Sequence, residues 1–274
     1  MIKKLLFILF LIPKIIYCQE IEIVGIILNS DKIPLEYTNI GIKNKNIGTI
    51  ADNYGNFKII LNQKYINDIL TFSYVGYENL DMNISDIVNK NIMEFTLIQK
   101  VNELKEIIVV ATNSKIVEVG TKSTNGMVGG RVSTIDSKNK DMREFAKEIT
   151  IRKPSKILNV NFNIFSVKVD SATFRINFYD IIDKQPYEKI ISNNIIIKQQ
   201  IINGWNEFDL RHYNLKFDKP FFITIEYIPQ DFVEELPFWY SGQLFGESIT
   251  KSSSLGSWEV KQGVKLSLYV TVKQ

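Results

Sequence analysis

The chain has 274 residues, 33 Lys and Arg against 30 Asp and Glu, one histidine, one cysteine, 45% hydrophobic residues and 12% aromatic ones. A single histidine excludes paired-histidine zinc sites such as HExxH, and a single cysteine excludes an internal disulfide and cysteine-clustered zinc. A net charge of +3 gives no long-range pull toward nucleic acid or anionic lipid, so stability has to come from apolar burial, with chain enough for one large or two modest cores.

Lys3 and Lys4, the apolar run Leu5 to Ile12, and the segment Pro13 to Cys18 have the order of an export signal. The run is shorter than the roughly 20 apolar residues that cross a bilayer. Residues 1–18 are therefore predicted to be a signal peptide cut before Gln19. Lipidation on Cys18 is disfavoured because Ile16 and Tyr17 stand where that chemistry wants small side chains. Cleavage removes Lys3, Lys4, Lys14 and the cysteine, leaving 30 basic against 30 acidic residues and no thiol. The expected location is periplasmic, outer-membrane-associated or extracellular, with no transmembrane span in the mature chain and no nucleic-acid partner.

From Ile21 to about Ile98 short β-branched segments alternate with Asn, Asp, Gly and Pro clusters, the pattern of an antiparallel β-sandwich. Phe57, Ile59 and Leu61 share one strand face, as do Leu70, Phe72 and Tyr74. Asn29 to Pro34 and Asp52 to Gly55 are predicted turns. The clustered oxygens of Asp52 to Asn56 invite a calcium reading, but the alternating ligand order and distal glutamate of an EF-hand are missing.

Residues 111–148 shift to Lys, Ser, Thr, Asn and Gly and read as a connector, with Gly126 to Gly130 as a flexible stretch lacking the GK pair of a phosphate loop. Alternation returns over 149–274: Phe174, Ile176 and Phe178 oppose Thr173, Arg175, Asn177 and Tyr179, and Leu266, Leu268, Val270 and Val272 oppose Lys265, Ser267, Tyr269 and Thr271. A second antiparallel β-sandwich or jelly roll is predicted there, making the chain all-β.

Gly25, Pro34-Leu35, Asn39, Gly48-Thr49, Asp52, Gly55, Phe57, Ser73 and Gly76-Tyr77 together resemble the carboxypeptidase-regulatory-like domain over residues 21–98. The resemblance implies a transthyretin-like seven-stranded β-sandwich, here placed at 19–110, of a kind common in secreted and surface proteins of Bacteroidetes. Leu104 to Val110 also looks like the segment that follows this module in outer-membrane receptors of those bacteria. No activity comes with the resemblance. The zinc-binding catalytic domain of metallocarboxypeptidases would need histidines, and His212 is the only one.

Chemistry is sparse elsewhere. His212 lacks a GxSxG nucleophile elbow and reads as a surface or packing residue. Glu226, Asp231, Glu234 and Glu235 lie near aromatics, and a carboxylate pair suffices for glycoside hydrolysis, but solvated acids are the plainer reading. No catalytic residue, metal ligand or cofactor is assigned. Aromatics crowd the region from Trp205 to Trp258, and most must be core. Because strand side chains alternate faces, the run Phe238-Trp239-Tyr240 has to turn at least one ring away from the core. Trp239, Tyr240 and Trp258 are the candidate ligand-binding residues, for a glycan. The expected function is a non-catalytic envelope binding or structural module, its partner an envelope protein or a glycan; a carboxylate hydrolase is the remaining alternative.

Overall fold

The computed structural model describes residues 20–100, 114–125, 128–132, 139–141, 143–229 and 236–274. The signal segment, Leu104 to Val110 and three of the four candidate acids, Asp231, Glu234 and Glu235, lie outside these residues. No helix among the described residues is long and apolar enough to cross a membrane.

The N-terminal unit contains β1 (Glu20–Asn29), β2 (Asn39–Ile42), β3 (Ile47–Ile50), β4 (Asn56–Asn62), β5 (Ile69–Ser73), β6 (Leu80–Asn83), the short helix α1 (Ile84–Lys90) and β7 (Glu94–Leu97). The seven strands form two sheets, β4-β1-β7 and β3-β2-β5-β6, facing one another across an apolar layer. Alternation buries Phe57, Ile59 and Leu61 on one side and Leu70 with Phe72 on the other. The Phe57, Phe72 and Phe95 rings meet at centroid distances of 5.6, 5.4 and 4.4 Å, so the layer is knit by aromatic edges and faces. Asp52 closes the predicted turn by accepting from the Tyr54 and Asn56 amides at 2.8 and 2.9 Å.

The remainder is a larger sandwich. Its strands are β8 (Ile116–Gly120), β9 (Gly129–Arg131), β10 (Glu144–Ile149), β11 (Ser155–Phe165), β12 (Ser171–Ile182), β13 (Gln185–Lys189), β14 (Ile195–Gln200), β15 (Gly204–Asp209), β16 (Lys216–Phe217), β17 (Phe221–Ile228), β18 (Trp239–Lys251), β19 (Trp258–Leu266) and β20 (Leu268–Lys273). One sheet places β12, β17, β10, β18 and β19 side by side, with β13 and β14 on the outer edge of β12. The other centres on β11 and β20, with β15 and β16 on one side and β8 on the other. The long strand β18 belongs to both: Trp239 and Tyr240 pair with β11, and Ile249 to Lys251 pair with β10. Between the sheets Phe162, Phe174, Phe208, Phe238 and Tyr240 are fully buried.

One expectation is corrected. The segment read as a connector is built into this sandwich: β8 pairs with β20, β9 pairs with the start of β18, and β10 lies mid-sheet. The glycines of β9 serve close approach, because a Cβ at Gly129 would sit 1.7 Å from the Tyr240 carbonyl oxygen. The polar face of β12 is buried as well: Thr173, Arg175, Asn177 and Tyr179 are all closed to solvent. Alternation separates the faces of a strand but says nothing of what covers each.

Candidate functional site

The β12 polar face meets the N-terminal unit along a seam. Arg175 donates to the Asn39 Oδ1 at 2.6 Å and to the Tyr37 carbonyl oxygen. Ile50, from β3, packs into the core of the second sandwich. The Asn139 carboxamide bonds both backbone groups of Ile60, its Oδ1 accepting at 2.8 Å and its Nδ2 donating at 3.1 Å, on the outer edge of β4. Edge groups that would otherwise seek another strand are thereby satisfied within the chain. Further along, the Asn44 amide donates to the Leu255 carbonyl oxygen at 3.0 Å and Asn194 donates to the Tyr74 hydroxyl at 3.2 Å.

Beneath the seam the strand registers assemble a row of charges. Arg175 of β12 stands opposite Glu226 of β17, Glu226 opposite Glu144 of β10, Glu144 opposite Lys251 of β18, and Lys251 opposite Trp258 of β19. Facing side chains in neighbouring strands lie about 5 Å apart, so two ion pairs form from a positive-negative-negative-positive order. Arg175 meets Glu226 at 3.2 Å and Lys251 meets Glu144 at 2.7 Å, all four side chains 9% exposed or less. Glu144 also accepts from Asn177 at 2.9 Å, from Tyr179 at 3.1 Å and from Thr224.

The two carboxylates experience opposite environments. Burial would raise the Glu144 carboxyl, but the Lys251 and Lys189 charges, with hydrogen bonds from Lys251 and Thr224, outweigh it and hold the group down to about 2. For Glu226 burial wins and, with Glu144 alongside, pushes the carboxyl up against the pull of Arg175. Its Oε1 is buried without a hydrogen-bond partner among the described residues.

Next to this row the two units leave a cleft of about 420 Å³. Tyr74 and Tyr77 line it from the N-terminal unit, Tyr179, Tyr187 and Lys189 from β12 and β13, and Lys251 from β18. Glu144 and Glu226 are not among the lining residues. A second groove, about 970 Å³, runs past Ile190, Tyr213, Leu215 and Phe217 on the second sandwich alone.

The predicted ligand-binding residues are dispersed. Phe238 and Tyr240 point into the core and Trp239 points out, as alternation requires. Tyr240 is fully buried against Phe145, Phe162 and Phe238, so its place in a binding surface is corrected: it has no face to offer. Trp239 is half-buried, with Phe165 stacked at 6.1 Å and the Arg131 guanidinium 5.9 Å from its ring. Trp258, on the other sheet, packs edge-on to Tyr179 at 5.7 Å under the Lys251 ammonium at 4.8 Å, and so supports the charged row. His212 is exposed on a single 3-10 turn, its ring tilted against that of Tyr213 at a centroid distance of 3.9 Å. Among the described residues no group of three or more His, Cys, Asp or Glu could hold a metal ion. Sequence reasoning passed over Glu144, Lys189 and Lys251, because only strand register brings them together.

Residues 23–109 match the family model of the CarboxypepD_reg-like domain, covering less than half of the chain. No curated protein matches the chain. Among solved structures, the chain is similar at 10% identity to BcpA, the major pilin subunit of Bacillus cereus, over 90% of this chain and 69% of that one, with a TM-score of 0.18. A variant of the same pilin gives 9% identity over 91% and 69%, again with a TM-score of 0.18. At that score neither fold nor function is transferred. The seven-stranded unit at the N-terminal end is a CarboxypepD_reg-like domain, joined through a buried polar seam to a second β-sandwich.

Proposed function

We propose that the protein is an exported, envelope-associated binding and structural module without catalysis of its own, and that its binding surface is the cleft at the seam. The observation that carries this reading is the use of the charged row: all four groups are consumed in buried pairs that hold the sheets and the two units together, while the cleft beside them keeps exposed tyrosine and lysine side chains. A concave site where a few polar groups converge is the default place for a ligand to bind. A glycan or an envelope protein is the partner class.

Cell fractionation followed by incubation of the purified mature chain with envelope glycans and peptides tests the proposal. The protein should leave the cytoplasm and return bound material chemically unchanged. Cytoplasmic retention, or cleavage of a bound polymer, would overturn it. One observation favours a second reading, a carboxylate hydrolase: Glu144 and Glu226 are adjacent carboxyls pushed in opposite directions, the pattern of an acid and base pair. That reading requires turnover that both Glu144→Gln and Glu226→Gln abolish.

A further inference from the structure

We propose that the seam cleft takes a carboxylate-bearing sugar, a uronate unit of an acidic glycan, with Lys189 as the counter-ion of its carboxylate. This rests on the cleft being the binding surface. Three lysines line the cleft, and they are not equivalent. Lys251 is already neutralised by Glu144 at 2.7 Å. Lys100 is exposed. Lys189 is half-buried 6.0 Å from the Tyr179 ring centroid, and among the described residues no carboxylate lies within ion-pair distance of it. A half-buried ammonium with no carboxylate in direct contact is costly, and an incoming anion relieves that cost.

The walls select among anions. Tyr74 and Tyr77 form an edge-to-face pair at 5.3 Å, and Tyr187 stands 58% exposed on the facing strand, so the cleft presents ring faces for the C–H side of a pyranose. Ser73, Asn79 and Ser192 supply short polar groups for hydroxyls. A phosphate calls for a guanidinium fork or a nest of amides, and Arg175, committed to Glu226 and Asn39, is not among the lining residues. The lining also carries Val75, Ile190, Ile191 and Leu255, so a peptide carboxylate is the competing occupant against which the uronate is tested.

The charges around Lys189 give the site a pH signature. Burial, then Arg175, and more weakly Lys251 pull its ammonium down to about 8, and Glu144 and Glu226 pull the other way. Tyr179, Tyr187 and Glu188 face the cleft from the second sandwich, and Tyr74, Tyr77 and Lys100 from the N-terminal domain. Binding needs the charged form. A bound carboxylate raises the Lys189 value, so binding takes up protons near pH 8 and weakens about tenfold per unit above it.

Titration calorimetry on the mature chain is the test, with di-D-galacturonate and di-D-glucuronate against the matching neutral disaccharides, and a tripeptide acid against its amide. The expected results are uronate binding, at least tenfold weaker binding of the neutral sugars, proton uptake at pH 8, and at least a tenfold loss in Lys189→Gln. The Lys189→Gln melting temperature at pH 7 should match or exceed that of the parent, because a lysine whose ionisation is depressed by folding opposes folding below pH 8. Three results would overturn the proposal: no uronate binding by the folded parent, uronate binding unaffected in Lys189→Gln, or preference for the peptide acid. Binding of envelope material that ignores Lys189→Gln would overturn the uronate assignment and leave the binding-module reading standing. Cleavage of the uronate disaccharide would overturn the non-catalytic reading and leave the site standing.

Discussion

Lys251 and Arg175 depend on their carboxylates to different degrees. Lys251 is a buried ammonium held by Glu144, whereas Arg175 also donates to Asn39 and the Tyr37 carbonyl oxygen. Glu144→Gln therefore strands a buried cation and disturbs three further donors, with an expected loss of about 3–5 kcal/mol. Glu226→Gln keeps an oxygen for Arg175 and removes the repulsion between adjacent carboxylates, so its loss should be less than about half as large. Urea denaturation of both variants checks the asymmetry; equal losses would show that Glu226 is as firmly ionised as Glu144. The pH dependence has a definite sign. Glu144 ionises at about 2 when folded and at an ordinary 4.5 otherwise, so its contribution is complete above about pH 4.5 and disappears as pH falls through about 2. Glu226, raised by folding, has the opposite sign and loses its contribution as pH rises above the ordinary value. The parent should lose stability below pH 4.5 more steeply than Glu144→Gln, as followed by urea midpoints across that range.

At the scale of elements, β18 shows which features the sequence displays and which it hides. Alternation turns Trp239 to the opposite face from Phe238 and Tyr240, but which face is inward is decided by what packs on the strand, and the fold buries Phe238 and Tyr240. In the N-terminal domain alternation displayed the buried faces of β4 and β5, and Gly and Asx residues marked the turns at Asn29 to Pro34 and Asp52 to Gly55, whereas the count of seven strands was implied by the family resemblance. The bulge in β18 was not legible. Its register with β19 shifts between Leu244 and Glu247, and the left-handed position falls on Phe245, φ 62° and 97% exposed, although Gly246 follows it. The strands β8 and β9 were hidden too. Exposed edge positions such as Ile116 and Glu118 need no apolar pattern, and Gly129 and Gly130 look like a flexible stretch until Tyr240 and Phe145 are set against them. Phe245→Gly tests the bulge. It removes a conformational cost of about 1–2 kcal/mol and adds about 0.5–1 kcal/mol of chain entropy, for a net change between about zero and 1.5 kcal/mol in favour of the fold. A loss above about 1 kcal/mol in chemical denaturation would mean that the Phe245 ring contributes to the stability of the fold and that the bulge is not strained.

The whole molecule turns on the seam. The two units are predicted to behave as one cooperative body, because Ile50 completes the second core, Asn139 satisfies the β4 edge and Arg175 spans the junction, so neither unit keeps its buried groups partnered alone. This coupling was not visible in the sequence, which shows a polar face on β12 and leaves open whether water or protein covers it. Gly48 is a sensitive point: a Cβ there would lie 2.8 Å from the Ile40 carbonyl oxygen, 2.9 Å from the Ser253 Oγ and 3.0 Å from the Asp141 Oδ2. Because the last two contacts belong to the second unit and the nearest one, the Ile40 carbonyl oxygen, to the neighbouring strand β2, Gly48→Val should force the units apart and also strain the β2-β3 pair. Calorimetry of the parent mature chain should show a single transition whose calorimetric and van't Hoff enthalpies agree, and Gly48→Val should lower the melting temperature and split the transition in two. Two transitions in the parent would show that the seam is a weak contact between independent domains. A single unshifted transition in Gly48→Val would show that the close approach at β3 carries none of the coupling.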